Sequence, residues 1–128
     1  MIVAGFGCRA DASPEALRAA LDAALEAARP LLPDGRGVAM LAAPADRLPR
    51  IEALAGALGL PLSAVDAQTL RAQATATRSP RSLAARGCGS VAEAAALAAA
   101  GQGARLLAIR HISPDRSATC AIAQGESR

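Results

Sequence analysis

The sequence predicts an α/β fold, a single three-layer α/β/α domain with a mostly parallel mixed sheet of about five strands. In the first half of the chain, short apolar runs alternate with segments of helical periodicity, in the order strand, helix, strand, helix, strand. The chain has 128 residues, enough for one core, and 52% of them are hydrophobic against 20% charged, which excludes a disordered protein. We therefore expect one domain over residues 1–128, with a tail at 124–128.

The first strand and the first helix have the clearest signals. Residues 1–6, MIVAGF, form an apolar run long enough for one buried strand. Ser13, Pro14 and Glu15 then supply an N-cap, a proline in the first turn and an acid near the positive end of the helix dipole. Leucines at helical spacing follow as far as a pair of prolines, so we expect a helix over about 14–29.

The second strand, the second helix and the third strand follow in order. Residues 37–41, GVAML, form a short apolar run bounded by turn residues. Asp46 is placed to cap a helix with an inward apolar stripe, which Gly59 ends. Residues 60–65 predict a third strand, and a short helix is expected near 66–73.

A stretch rich in arginine lies in the second half of the chain. Residues 71–86 show little periodicity and contain no acid, so we expect an exposed connection. Connections of this length in small domains are usually functional or disordered. The arginines in it are Arg71, Arg78, Arg81 and Arg86.

The remaining elements are one helix and two strands. Ser90 and Glu93 match the capping box S-x-x-E, in which each side chain bonds the backbone N–H of the other residue. Gly101 ends the predicted helix. Apolar runs at 105–109 and 118–123 predict the fourth and fifth strands.

Composition limits where the protein works. No apolar run is long and unbroken enough to span a bilayer, and the N-terminus lacks the regions of a signal peptide, so we expect a cytoplasmic protein without a membrane partner. Cys8, Cys88 and Cys120 form no C-x-x-C pair. We therefore expect reduced thiols, no disulfide framework and no metal site.

The basic charge carries little functional information. The net charge is +3, but all 14 residues counted as lysine or arginine are arginine, which is typical of proteins from GC-rich genomes. The one aromatic residue, Phe6, leaves no platform for stacking single-stranded bases. We therefore expect no nucleic-acid partner.

The segment GFGCRA allows three interpretations. Gly5, Gly7 and Ala10 match the dinucleotide fingerprint G-x-G-x-x-A, but the segment DASP precedes the helical leucines and no acid ends the second strand. Cys8 is a candidate nucleophile at the carboxyl end of the first strand, where Arg9 would lower its pKa. For Cys8 the alternative is a small residue packed under a tight turn. The third interpretation of the segment is a loop shaped for another ligand.

Two glycine-containing segments, GFGCR and RGCGS, each precede a predicted helix. Backbone amides, the positive end of a helix dipole and guanidinium groups together favour an anion, above all carboxylates, which arginine binds in a bidentate way. The alternative is that the glycines form turns and the arginines face water. Taken together, the segments favour a small polyanionic ligand.

Three segments resemble a known family. GFGCRADASPEALRAAL, GCGSVAEAAALAAAG and the closing ATCAIA are similar to the cobalamin-biosynthesis family that comprises CobE and the C-terminal domain of CbiG. The likeness covers nearly the whole chain in the expected order. It implies a three-layer fold with a mixed sheet, a cytoplasmic location and a role in making the corrin ring.

The resemblance also implies a function. In CbiG the domain is fused to another, and the whole protein opens a lactone ring of a cobalt-precorrin and releases acetaldehyde. This chain resembles the free-standing form of the aerobic route to vitamin B12, which implies a carrier or accessory protein that binds a polycarboxylated corrinoid or precorrin, without a cofactor. The alternatives are a CbiG-like hydrolase or other ring-modifying enzyme, and a module that docks onto other pathway enzymes. The arginines expected to pair with ligand carboxylates are Arg9, Arg78, Arg81 and Arg86.

The resemblance carries the family motif onto numbered positions. They are Gly5, Gly7, Cys8, Arg9, Ser90, Val91, Ala92, Glu93, Thr119, Ala121 and Ala123. The predicted ligand-binding residues are Gly5, Gly7, Cys8, Arg9, Arg86, Gly87, Gly89, Ser90, Arg110, His111 and Thr119. Arg110 stands after the fourth predicted strand, where many relatives have lysine, and His111 is either an axial cobalt ligand or a surface histidine. For an enzyme, Cys8 is the candidate nucleophile and Glu93 the weaker candidate, since its capping role would explain it.

Overall fold

A computed structural model describes residues 1–33 and 37–125, and within these ranges it holds five strands and five helices. The strands are β1 (Ile2–Cys8), β2 (Met40–Pro44), β3 (Leu62–Val65), β4 (Arg105–Ile112) and β5 (Ala118–Gln124). The helices are α1 (Pro14–Ala28), α2 (Leu48–Leu58), α3 (Ala67–Arg71), α4 (Pro80–Arg86) and α5 (Val91–Ala100). Of the expected tail, Gln124 lies in β5 and residues 126–128 lie outside the described residues. No helix in the described ranges is long and apolar enough to cross a membrane.

The strands form one mixed sheet in the order β3-β2-β1-β5-β4. β1 pairs in parallel with β2, and β2 with β3, whereas β5 runs antiparallel to both β1 and β4. Four of the five strands therefore point the same way, which confirms the mostly parallel sheet. Their carboxyl ends meet at one edge of the sheet, the place where open α/β sheets bind ligands.

Helices cover both faces of the sheet, which confirms the α/β prediction. α1 and α2 pack on one face, and α5 packs on the other, with α3 against α5 and α4 against α3. Alternation along β1 separates the two cores, because Ile2, Ala4 and Phe6 face α1 and α2, whereas Val3 packs with the α5 side. Gly5 also faces α5 and lets it come close, since a Cβ there would collide with the α5 backbone.

Two of the three predicted helix caps are confirmed. The Ser13 hydroxyl accepts a hydrogen bond from the Ala16 N–H at 3.1 Å, at the start of α1. The Ser90 hydroxyl accepts one from the Glu93 N–H at 3.3 Å, at the start of α5. Both caps depend on residues three positions apart, so a local sequence signal is enough to predict them.

The predicted cap of α2 by Asp46 is wrong. Asp46 lies in the 3-10 turn Ala45–Arg47, one residue before the N-cap position, which Arg47 occupies without a side-chain capping bond. Pro49 in the first turn of α2 has no N–H for a cap to accept. The Asp46 carboxylate binds arginine side chains instead.

Several strands differ in length or position from their predicted ranges. β1 and β4 continue beyond residues 6 and 109, to Cys8 and Ile112, because both pair with β5 as far as those ends. β2 begins at Met40 and runs to Pro44, rather than covering residues 37–41, since its parallel pairing with β1 begins at Met40. The residues that thereby lie in strands and not in loops are Gly7, Cys8, Arg110 and His111.

The arginine-rich stretch 71–86 is exposed or half-buried, as expected, but its second half is not an irregular connection. Pro80–Arg86 form α4, which Ser79 caps by accepting the Ser82 N–H at 3.4 Å. Gly87 ends this helix in the left-handed conformation, with φ at 72°. Seven residues are about two turns, too few for helical periodicity to stand out in the sequence.

Candidate functional site

A cleft of about 250 Å³ opens at the edge of the sheet where β1 and β4 end and β5 begins. Gly7 of β1 and Thr119 of β5 are register partners that line it, and the Thr119 hydroxyl donates to the Gly7 carbonyl at 3.2 Å. Residues of α4 line another side, together with Ser90 and Val91 at the start of α5. The cleft thus lies between the two glycine-containing segments GFGCR and RGCGS.

Among the described residues, six arginines and no acid line the cleft. They are Arg9, Arg47, Arg81, Arg86, Arg110 and Arg116. Sequence reasoning identified four of them and missed Arg47 and Arg116, along with three lining serines, Ser79, Ser82 and Ser117. Arg47 is the last residue of the 3-10 turn after β2, and its place just beyond a strand end is a signal that the sequence offers. Arg116 lies in the β4–β5 turn with φ at 64°, and no pattern in the sequence marks it.

Two of the six arginines are paired with a carboxylate of the chain itself. Arg86 binds Asp46 in a bidentate way, with Nη1 to Oδ1 at 2.8 Å and Nη2 to Oδ2 at 3.0 Å. Arg47 donates from Nη1 to the same Oδ2 at 3.2 Å and from Nε to the Cys8 carbonyl at 3.0 Å. The hydrogen bonds from Arg86 hold the pKa of Asp46 below its usual range, so this carboxylate is ionised at neutral pH.

The other four arginines are available to a ligand. Among residues 1–33 and 37–125, no side-chain hydrogen bond or ion pair engages Arg9, Arg81, Arg110 or Arg116. They approach the cleft from the end of β1, from α4, from β4 and from the β4–β5 turn. Several guanidinium groups around one concave surface attract a polyanion, and each offers a planar fork that matches a carboxylate.

Cys8 borders the cleft, but its side chain packs with the hydrophobic core on the α1 and α2 side. Burial raises the pKa of the Cys8 thiol, and the nearby Arg47, Arg50 and Arg86 lower it by less. The expectation that Arg9 would lower this pKa is wrong, because desolvation is the larger effect and the net shift is upward. Cys8 is therefore a poor nucleophile at neutral pH.

Glu93 is fully buried, and its side chain binds donors other than the one that a capping box predicts. Its Oε1 accepts the backbone N–H groups of Ala76 at 2.7 Å and Thr77 at 3.0 Å. Its Oε2 accepts the Thr77 hydroxyl at 2.7 Å and the Arg110 N–H at 2.9 Å. The predicted return bond to Ser90 is absent from the hydrogen bonds of the described residues, because donors from distant segments take both oxygens. Glu93 thus fastens the cleft walls together and does not line the cleft.

Three predicted glycines lie outside the cleft. Gly5 lies beneath α5, Gly87 terminates α4, and Gly89 touches the segment before α4. A Cβ on Gly89 would collide with the Thr75 hydroxyl and lie 2.6 Å from the Thr77 carbonyl oxygen. These glycines therefore allow close packing within the protein and do not border the space that a ligand would enter.

His111 and Arg78 also lie away from the cleft lining. His111 is in β4, paired with Cys120 of β5, and its Nδ1 is 2.8 Å from the Ile109 carbonyl oxygen. Arg78 is exposed in the segment before α4. Neither His111 nor Arg78 joins the arginines that line the cleft.

A second groove, of about 490 Å³, lies between α1 and α2. Glu15 and Asp22 line it as well as Arg18 and Arg50, so its charges balance. None of the ligand-binding or catalytic residues predicted from the sequence borders it. We therefore place the candidate site at the arginine-lined cleft.

The chain matches a protein family over residues 2–123, described as the cobalamin synthesis G C-terminus. No curated protein matches the chain.

Three solved structures are similar to this one. CobE, a protein from the cobalamin (vitamin B12) biosynthetic pathway, is 32% identical, with a TM-score of 0.82; the match covers 100% of this chain and 92% of that one. Cobalamin biosynthesis protein chiG from Agrobacterium tumefaciens str. C58 is 33% identical, with a TM-score of 0.67 and coverage of 99% and 100%. A cobalamin biosynthesis protein G homologue from Sulfolobus solfataricus shares the fold, at 23% identity and a TM-score of 0.72, over 98% of this chain and 37% of that chain.

Proposed function

Since this chain belongs to the cobalamin synthesis G C-terminus family and is a protein of cobalamin biosynthesis, we propose that it binds a polycarboxylated corrinoid or precorrin of the aerobic route in the cytoplasm, as a carrier or accessory protein. The observation that carries the proposal is the cleft, to which residues 1–33 and 37–125 contribute six arginines and no acid. Corrin precursors bear acetate and propionate carboxylates around the ring, and guanidinium groups bind carboxylates in a bidentate way.

The size of the cleft indicates how such a ligand would bind. Its volume of about 250 Å³ is below the roughly 300–1,000 Å³ of pockets that enclose a drug-sized molecule. The cleft therefore takes one edge of a tetrapyrrole, with the ring extending outward. Arg9, Arg110 and Arg116 would pair with carboxylates along the sheet edge, and Arg81 would reach them from α4.

Two observations support binding over turnover. Burial raises the pKa of the Cys8 thiol, so the candidate nucleophile is protonated at neutral pH. Both carboxylate oxygens of Glu93 accept hydrogen bonds from the protein, and the residue lies outside the cleft lining. A CbiG-like hydrolase would need a nucleophile or a base that borders the ligand.

A visible-absorption titration of the protein with hydrogenobyrinic acid tests the proposal. We expect a stoichiometric spectral shift that weakens as salt is added, because exposed ion pairs are screened. The fully esterified ligand, which has no carboxylates, is expected not to bind. Arg110→Gln should weaken binding roughly fivefold, whereas Arg105→Gln at the opposite, exposed end of β4 leaves it unchanged.

Two further results separate the alternatives. Cys8→Ala should bind with nearly unchanged affinity, whereas a hydrolase that acts through this thiol would lose turnover completely. No spectral shift at any concentration would overturn the proposal and favour a module that docks onto another enzyme of the pathway.

A further inference from the structure

Asp46 holds two cleft arginines in the arrangement that a ligand carboxylate would need. We infer that the guanidinium groups of Arg47 and Arg86 form a carboxylate subsite, and that Asp46 fills this subsite in the free protein and leaves it when a ligand carboxylate enters. This inference rests on the proposed function. It adds two arginines to the four whose side chains have no partner within the described part of the chain, and it assigns Asp46 as a residue that limits affinity.

The contacts of Asp46 define the subsite. Its carboxylate accepts three N–H groups, two from the fork of Arg86 at 2.8 and 3.0 Å and one from Arg47 at 3.2 Å. A bidentate guanidinium contact supported by a second guanidinium is a strong arrangement for a carboxylate. The geometry is the same whether the carboxylate belongs to the chain or to a ligand.

The two sides of this ion-pair cluster differ in how firmly they are held. The Asp46 side chain is 56% exposed, whereas those of Arg86 and Arg47 are 21% and 27% exposed. Arg47 is also fixed by its bond to the Cys8 carbonyl. In the described residues, no side chain other than those of these two arginines donates a hydrogen bond to the Asp46 carboxylate. Asp46 can therefore turn into water by a side-chain rotation, while the arginines stay at the cleft.

The exchange has a small energetic cost. One carboxylate replaces another on the same guanidinium groups, so no buried charge is left without a partner. Asp46 regains its hydration, and an exposed ion pair contributes little net stability. A ligand that also binds the other four cleft arginines is held at several points. An isolated carboxylate such as acetate is held at only one. The subsite therefore selects for a polycarboxylate.

The test compares Asp46→Asn with a matched control, Asp22→Asn, by titration with hydrogenobyrinic acid. Asp22 is 60% exposed and paired with an arginine, Arg18, but it lies outside the cleft. Both variants remove one negative charge, so a general electrostatic effect would change both alike. We expect Asp46→Asn to bind roughly fivefold more tightly than the wild type and Asp22→Asn to bind as the wild type does. Circular dichroism checks that both variants are folded.

The affinities of the two variants separate failure of this inference from failure of the proposed function. Unchanged or weaker binding by Asp46→Asn would overturn the inference and make Asp46 a residue that positions Arg86. Equal tightening by both variants would also overturn it. If neither the wild type nor Asp46→Asn binds the ligand, the proposed function fails and the inference fails with it.

Discussion

Cys8 illustrates how the direction of a side chain within a strand decides its chemistry. Cys8 borders the cleft, and its carbonyl accepts a hydrogen bond from Arg47. Its side chain follows Ile2, Ala4 and Phe6 toward the core on the α1 and α2 side, because strand residues alternate between the two faces. A residue that borders the cleft therefore has a half-buried side chain that packs against the core.

We expect the Cys8 thiol to react slowly at neutral pH. A raised pKa lowers the thiolate fraction at every pH below it, relative to a free cysteine with a pKa of about 8.5. The rate of iodoacetamide labelling at Cys8, followed by peptide mass spectrometry, should therefore rise only at a more alkaline pH than the rate for free cysteine. The Cys8→Ser variant is the control, because any labelling that it shows occurs at the other cysteines. A pH midpoint below that of free cysteine would contradict the prediction and restore the nucleophile hypothesis.

The contact between β1 and α5 shows how a helix rich in alanine is held on a sheet. α5 reads VAEAAALAAA, and most of its buried side chains are methyl groups, which bury little area each. The helix gains dispersion energy by coming close, and Gly5 allows the approach because it has no Cβ. Small residues on both α5 and β1 therefore allow close contact without large interlocking side chains.

Substitutions at two glycines should change the free energy of unfolding in opposite directions. Gly5→Ala forces a methyl group against the α5 backbone, and we expect a loss of about 3 kcal/mol. Gly56→Ala lies within α2 with no atom near the added Cβ, and we expect a gain of about 0.5 kcal/mol because alanine favours a helix. Urea unfolding of both variants measures these values. A loss below about 1 kcal/mol for Gly5→Ala would show that α5 shifts freely on the sheet.

Glu93 connects parts of the molecule that are distant in sequence. Its carboxylate on α5 accepts donors from the segment before α4 and from β4, all about 16 or 17 residues away. Both partner regions adjoin cleft walls that carry arginines. One buried carboxylate thus helps to set the width of the cleft.

Replacing Glu93 by Gln should destabilise the whole domain. The amide nitrogen would face N–H donors, leaving part of the four-bond set unsatisfied in a buried place, and we expect a loss of about 3 kcal/mol in the free energy of unfolding. Glu26→Gln, at an exposed position on α1, is the control and should change stability little. Urea unfolding monitored by circular dichroism provides the measurement. Equal stability of the two variants would be inconsistent with this role for Glu93.

The features that the sequence predicts well depend on neighbouring residues, and those it does not predict depend on distant ones. Ser13 and Ser90 cap helices through bonds to residues three positions on. Asp46 has the same local appearance, but Arg86, 40 residues away, takes its carboxylate. Arg47 enters the cleft only because β2 lies beside β1. The approach of Arg47 to the cleft and the pairing of Asp46 with Arg86 therefore depend on how distant segments are arranged, which no local pattern contains.

The place of β5 in the sheet has a consequence for synthesis of the chain. β5 is made last of the five strands, yet it lies between β1 and β4, and the Thr119 to Gly7 bond joins residues 112 apart. Until β5 leaves the ribosome, one side of β1 has no strand partner in this sheet, and exposed strand edges favour aggregation. Contacts of such long sequence separation also slow folding. We therefore expect that a ribosome-bound chain stalled before residue 118 remains sensitive to protease, and that protection appears only once β5 has emerged.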